Sequence, residues 1–548
     1  MVSIARLIGG AGTGKTSELM RNLDAVIQAG VDPLTSVGFV SFTRAARCEA
    51  ATRAAELLNG SAEQLENDGW FRTLHSVCFR CLGAARDGVL AGDRKSSRWV
   101  AEQLQAEVGA ALGDRLDDEG GDFEASTEAG ISLQLWSTAR NRLVPLSDAW
   151  EIADRCSDRT PAFETVRDYV ERYEQCKRLD GKSDFTDLLG RFAGWSFGVD
   201  GHERCNPEGS SPPLHVWFFD EQQDTSALLD SVCHRLIESA TWVYVVGDPF
   251  QAIYAWAGAD HTLFRKWPAA KEKIMPKSYR CPAPIHELGE RILRESSDYW
   301  DRGIAPADHE GSVEFERYSG QLLASIDPKE SWLLLARTNW LANKMATRLT
   351  ELGIPWRATR GPGGWPRKSR VDVVHTLAAL ATGNEITAAA WQQVLKLMPS
   401  KLGDEELLVH GCKAQWEQHG KEWKDATFSS DDIADAGATP ALVERLKAQR
   451  CMDLIEGGEE CYEAAVRHGA DAVSEPRVRV GTIHSAKGAE ADNVLWLTTT
   501  SDAVSKSCEE QAGFDEESRV AYVAATRARK RLIVAVEPNQ RHRWRVSA

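Results

Sequence analysis

Residues 4–16 read Ile-Ala-Arg-Leu-Ile-Gly-Gly-Ala-Gly-Thr-Gly-Lys-Thr, and this stretch decides the fold class. The run before Gly9 is mostly apolar and fits a short buried strand. Residues 17–29 place apolar side chains at helical spacing. Between them lies Gly9-x4-Gly14-Lys15-Thr16. Its glycines let the backbone wrap an anion with N–H groups, and the following helix N-terminus adds its dipole. Gly9, Gly10, Ala11, Gly12, Thr13 and Gly14 would cradle phosphates. Lys15 would reach the β- and γ-phosphates, and the Thr16 hydroxyl would bind Mg²⁺. A Gly-rich hairpin turn is the bland alternative, and the strand-before, helix-after context speaks against it.

Working outward, 37–43 is a second apolar run and 44–58 an Ala-rich helix, which opens a parallel α/β domain. Further strands at 215–220 and 242–248 each end in an acid, where α/β sheets hold ligands. Asp220 would hold Mg²⁺, and Glu221 would orient and deprotonate water. A second α/β block starts near Tyr279, with apolar runs at 331–337, 477–488 and 494–499. A helix over 516–529 and a strand over 532–536 close it. Longer helical patterns fill 84–184, interrupted by an acidic loop at 113–124, and again 381–474. Residues 200–213 read as a loop. No repeat of fixed period interrupts this order.

The chain has 548 residues and a net charge of −16, which argues against a protein that coats nucleic acid without regard to sequence. No apolar run approaches the ~18 residues of a membrane span, and the start lacks a secretory pattern. The cysteines are scattered. Cys78 and Cys81 share a helix face and read as packing, with a reducing, cytoplasmic compartment as the expectation. One segment, 337–370, holds eight Lys/Arg against Glu351, with Trp340, Trp356 and Trp365 interleaved. Such a pattern suits a groove that tracks a nucleic-acid backbone; a solvated basic face is the alternative.

The acidic segment continues as DEQQDTS. With 246–260 (VGDPFQAIYAWAGAD), 278–282 (SYRCP), 482–490 (TIHSAKGAE) and 522–529 (YVAATRAR), the chain resembles the UvrD/Rep/PcrA family of superfamily 1 DNA helicases. SFTRAA at 41–46, TLHS at 73–76 and DFTDLL at 184–189 add to the series. The motifs fall in family order over nearly the whole chain. The resemblance implies two RecA-like P-loop motor domains, each a parallel sheet flanked by helices and each carrying a mostly helical insertion. The first motor would comprise 1–83 and 185–275, with its insertion at 84–184. The second would comprise 276–380 and 475–548, with a shortened insertion at 381–474.

The same resemblance implies ATP and Mg²⁺ at the cleft between motors. Gln251 would sense the γ-phosphate, Tyr279 would stack on the adenine, and Glu490 would contact the ribose. Arg280 and Arg527 would be arginine fingers on the transferring phosphoryl group. Phe42, Thr43, Thr73, His75, Tyr254, Trp256, Thr482 and His484 align with family positions that touch or lie beside single-stranded DNA, where stacking is sequence-tolerant. Three departures stand out. Only eight residues precede Gly9, which leaves no room for the family's upstream glutamine motif. Ser17 occupies a position near the base that is often arginine, and Ala257 replaces a frequent arginine.

The expected activity is that of an ATP-dependent helicase moving 3′→5′ on single-stranded DNA and its duplex junctions, as a monomer or weak oligomer. A DNA-stimulated ATPase that remodels protein–DNA complexes without unwinding is the alternative. A P-loop ATPase with no nucleic-acid substrate is a third.

Overall fold

The computed structural model describes residues 2–41, 44–58, 60–108, 127–156, 159–419, 426–537 and 543–544. Phe42, Thr43 and the acidic stretch 113–124 lie outside the described residues.

The continuous apolar runs form buried parallel strands, because a strand covered on both faces needs apolar side chains on both. In the first sheet the order is Lys271–Ile274, Ser3–Ile8, Trp242–Gly247, Val216–Phe219, Val37–Val40, Trp70–Arg72, with every pair parallel. One face packs Leu19, Met20 and Leu23 of the helix Lys15–Gln28 against Phe39 and Phe218. The other packs Trp217, Phe219 and Val245 against Leu228 and Val232 of the helix Ala227–Leu236. Since the strands run in one direction, Gly9, Asp220 and Asp248 emerge at the same edge.

The second sheet has the order Ser312–Arg317, Ala528–Val536, Ala491–Leu497, Trp332–Ala336, Val478–Thr482, Trp356–Ala358, Gly364–Trp365; its last pair is antiparallel and the others parallel. The molecule thus has the expected α/β class, with two large parallel sheets flanked by helices.

Helices Arg94–Leu104, Glu128–Arg142, Leu146–Cys156 and Phe163–Leu179 share a core around Trp136, Val166 and Val170. A second helical cluster centres on Trp391, Leu395, Ile433 and Leu442. It also takes in Val373, Leu377 and Leu380 from the helix Lys368–Ala381. The expected boundary at 380/381 falls at the end of this helix, whose other buried residues, Val371 and Val374, pack with Cys461 and Val473.

Local readings are corrected in three places. Part of the expected loop at 200–213 is a hairpin arm, Gly201–Arg204, paired antiparallel with Trp195–Gly198. The helix expected over 516–529 runs instead over Gln511–Ala525, and the following strand begins at Ala528. Arg527 therefore sits in the connection between them, because pairing of Ala528 with Ala491 pulls the chain into the sheet. Three of the eight basic residues of 337–370 are paired with distant acids: Arg337 with Glu517, Lys344 with Glu537 and Arg370 with Glu456. Trp356 and Trp365 are half-buried, and Trp340 is the exposed one.

Cys78 is buried on the helix Leu74–Cys81, and burial pushes its thiol well up, as packing residues show. Among the described residues no helix is long and apolar enough to cross a membrane.

Candidate active site

A cleft of about 630 Å³ opens between the two sheets, lined by residues 12–17 on one wall and by Arg280, Lys487, Glu490 and Arg527 on the other. Backbone geometry explains the glycines of the loop. Gly12 and Gly14 take φ of 67° and 79°, which glycine adopts without strain, and Gly14 caps the helix Lys15–Gln28. A Cβ on Gly9 would lie 2.4 Å from Thr13 Oγ1 and 2.8 Å from Lys15 Cγ. Thr13 Oγ1 donates to the Gly10 carbonyl at 3.0 Å, and Lys15 Nζ donates to the same oxygen at 3.2 Å. Lys15 is buried, and that burial lowers its pKa against the pull of Glu221, Asp248 and Asp220.

The acids lie where the strand ends. Thr16 Oγ1 donates to Asp220 Oδ2 at 3.4 Å. Burial, and next the charge of Glu221, push the Asp220 carboxyl up to about 7. These hard oxygens, and a carboxylate that a divalent cation would relieve, fit Mg²⁺. Glu221 has φ 52°, an uncommon conformation for a residue with a side chain, which turns it out of the strand direction and into the cleft. Burial works against its carboxylate, yet Lys487, Lys15 and a hydrogen bond from Gln223 outweigh it and hold the group below its ordinary range.

From the second lobe, Arg280 Nε donates to Glu490 at 2.6 Å, and Glu490 also receives Arg529 at 2.9 Å. Arg527 is fully buried, and its guanidinium bonds only neutral acceptors among the described contacts: Val523 O at 3.1 Å, Ala489 O at 3.3 Å and Gln251 Oε1 at 3.4 Å. Burial, then the neighbouring Arg280, bring it down to about 10. Gln251 Nε2 in turn donates to Asp248 at 2.7 Å. Tyr279 is exposed and faces Gly14, while Ser17 lines the cleft beside it. Of the residues named from the sequence for the nucleotide, Gly12, Thr13, Gly14, Lys15, Thr16, Ser17, Asp220, Glu221, Gln251, Tyr279, Arg280, Glu490 and Arg527 line this cleft, whereas Gly9, Gly10 and Ala11 lie in the loop outside its lining.

Other cleft residues escaped the sequence reading. Lys487 Nζ forms a buried ion pair with Asp224 and donates to Gln251 O at 2.7 Å. Its position inside TIHSAKGAE was the available signal. Thr359 and Arg360 also line the cleft, and nothing local to 337–370 marks them out.

The residues expected along DNA divide in two. Tyr254, Trp256 and His484 form one cluster, with ring centroids 6.2–6.5 Å apart. Trp256 is partly exposed, whereas His484 is buried with Nε2 against Ile253 O, and burial lowers its pKa. Thr73, His75 and Thr482 are also buried. Thr73 caps the helix Leu74–Cys81, His75 meets Phe185 edge-on at 5.8 Å, and Thr482 Oγ1 accepts from Ser485 N.

A phosphate loop and strand-end acids facing arginines from the opposite wall of the cleft define a two-lobed P-loop nucleotide hydrolase. The family model for the UvrD/REP helicase N-terminal domain matches residues 3–270, and that for the UvrD-like helicase C-terminal domain matches 462–538. The chain belongs to the UvrD/REP helicase family and is an ATP hydrolase of that class. The ATP-dependent DNA helicase UvrD2 of Mycobacterium tuberculosis (strain ATCC 25618 / H37Rv) is 25% identical, over 96% of this chain and 76% of its own. YjcD of Bacillus subtilis (strain 168) is 22% identical over 98% and 77%. The ATP-dependent DNA helicase PcrA of the same strain is 24% identical over 69% of this chain and 51% of its own.

Proposed function

We propose that the protein is an ATP-dependent DNA helicase that translocates 3′→5′ on single-stranded DNA and couples ATP hydrolysis in the cleft to strand separation. The carrying observation is that two short segments serve both surfaces. Residues 248–258 hold Gln251 in the cleft and Tyr254 and Trp256 in the aromatic cluster. Residues 482–490 hold Lys487 and Glu490 in the cleft and His484 in that same cluster. Movement at the nucleotide therefore reaches the stacking surface through a few bonds of backbone.

In hydrolysis Lys15 contacts the β- and γ-phosphates, and Glu221 accepts the proton of the attacking water. Arg280 and Arg527 stabilise charge on the transferring group from the opposite lobe. Thr16 and Asp220 would hold Mg²⁺, which when bound neutralises phosphate oxygens. Because the arginines and the phosphate loop stand on opposite walls of the cleft, full catalysis requires the lobes to be docked.

The test is ATPase rate with single-stranded DNA, duplex DNA and RNA side by side, and strand displacement on duplexes with 3′ or 5′ tails. Stimulation by single-stranded DNA with displacement from 3′ tails is expected. Stimulation without displacement from either tail would favour a remodelling ATPase. No stimulation by DNA would overturn the proposal.

A further inference from the structure

Arg302 lies on the connection between the helix Ala283–Arg294 and the strand Ala305–Ala307, outside every motif named above. Its side chain is 1% exposed, and its guanidinium touches both lobes. Nη1 donates to Asp248 Oδ1 at 2.8 Å, at the edge of the first sheet. Nη2 donates to Glu290 Oε1 at 2.6 Å and to Tyr522 Oη at 3.4 Å, both in the second lobe. The rings of Phe250 and Tyr522 flank it, with centroids at 4.7 and 5.4 Å.

Each partner leads one step further, into the nucleotide cleft. The second oxygen of Asp248 receives Gln251 Nε2 at 2.7 Å, and Gln251 Oε1 receives Arg527 at 3.4 Å. Tyr522 Oη accepts the Ala11 N–H of the phosphate loop at 3.1 Å. Gly10 completes the contact. A Cβ there would lie 2.9 Å from Ile304 Cδ1, 3.3 Å from Tyr522 Oη and 3.4 Å from Arg302 Nη1, so the loop packs closely against this pair and the neighbouring Ile304. A buried ion pair that merely glued two lobes would need none of these branches.

We infer that Arg302 is a positioning residue for ATP hydrolysis. By holding Asp248 it orients Gln251 toward Arg527, and by holding Tyr522 it sets the backbone of Ala11. A planar guanidinium can serve Asp248 and Glu290 at once along two edges. An ammonium at the same place is a point charge that cannot reproduce both directions. The bonds to Asp248 and to Glu290 lie in different lobes, so the orientation of Gln251 is set when the lobes dock.

The inference rests on the cleft being the ATP site, and the experiment separates the two. Steady-state ATPase with saturating single-stranded DNA is measured for wild type, Lys15→Ala, Arg302→Lys, Gln251→Ala and the double variant Arg302→Lys/Gln251→Ala, with thermal melting of each. Arg302→Lys is expected to lower kcat about tenfold with KM for ATP within about threefold, and the double variant to be no slower than Gln251→Ala alone. Wild-type kcat in Arg302→Lys, losses that multiply in the double variant, or a loss accounted for by the unfolded fraction would overturn the inference. If Arg302→Lys does not fold, Asp248→Asn takes its place in the same cycle: a lower kcat that does not multiply with Gln251→Ala supports the inference, and an unchanged kcat or multiplying losses overturn it. Hydrolysis retained by Lys15→Ala would overturn the ATP-site reading itself.

Discussion

Two buried clusters of opposite charge lie in this molecule, and they are built differently. In the first, where the helices Glu128–Arg142, Phe163–Leu179 and Phe185–Ala193 meet, Arg140 and Lys177 face Asp184, Asp187 and Glu174. Tyr173 donates to Asp184, and Asp184 and Asp187 form a capping box on the helix Phe185–Ala193. Burial opposes the Asp184 carboxylate, yet Arg140 and Lys177 hold it below its ordinary range. The three carboxylates lie close enough to hold a metal ion, but both cations already bond to them. This cluster closes on itself. In the second, the nucleotide cleft, Arg280 and Lys487 also pair with acids, Glu490 and Asp224, but Arg527 meets only carbonyls and an amide among the described contacts, and Lys15 a carbonyl. Cations given neutral partners keep their charge available to a ligand, whereas cations given carboxylates spend it on the fold.

That contrast predicts which variants lose activity and which lose stability. The largest effect belongs to Lys15→Ala, which should abolish DNA-stimulated ATP hydrolysis in a steady-state assay while the protein still melts near the wild-type temperature. A large fall in melting temperature would make Lys15 a structural cation like Lys177. Next, Arg527→Ala should reduce kcat about a thousandfold, in the range of removed arginine fingers, with nucleotide affinity changed far less. Equal losses in both would remove the distinction between a finger and a binding group. Asp184→Ala should act the other way round. It leaves two buried cations short of a partner and should cost about 3–5 kcal/mol of stability in denaturant titrations, with kcat per folded molecule preserved. The smallest effect is on the stacking surface: Trp256→Ala should raise the concentration of single-stranded DNA needed for half-maximal stimulation about tenfold, one base's worth of stacking. An unchanged requirement would show that Trp256 packs rather than stacks.

Much of this cleft was legible in the chain because its parts are local. Gly9-x4-Gly14-Lys15-Thr16 carries its own turn geometry and its own helix, and Asp220 follows its own apolar strand. The arginines and Tyr279 were placed by ordered resemblance rather than by local physics. The basic segment 337–370 shows the limit. Read by itself it is a charged face, and only packing reveals that Glu517, Glu537 and Glu456 take up three of its eight cations while Arg360 turns into the cleft. The last helix stops short of its sequence pattern for a related reason: pairing with Ala491 overrides the helical pattern at 528.

By itself the sequence determined the α/β class with its buried parallel strands, the helical stretches between them, and a Gly-rich turn leading into a helix. Each follows from periodicity or turn chemistry within a few residues. The tertiary structure alone decided how charge is shared out. Arg302 reaches Asp248, Glu290 and Tyr522 across 54, 12 and 220 positions, and Lys487 reaches Asp224 across 263. Burial makes each of these pairings strong, and a pairing between residues so far apart leaves no trace in the local pattern of either.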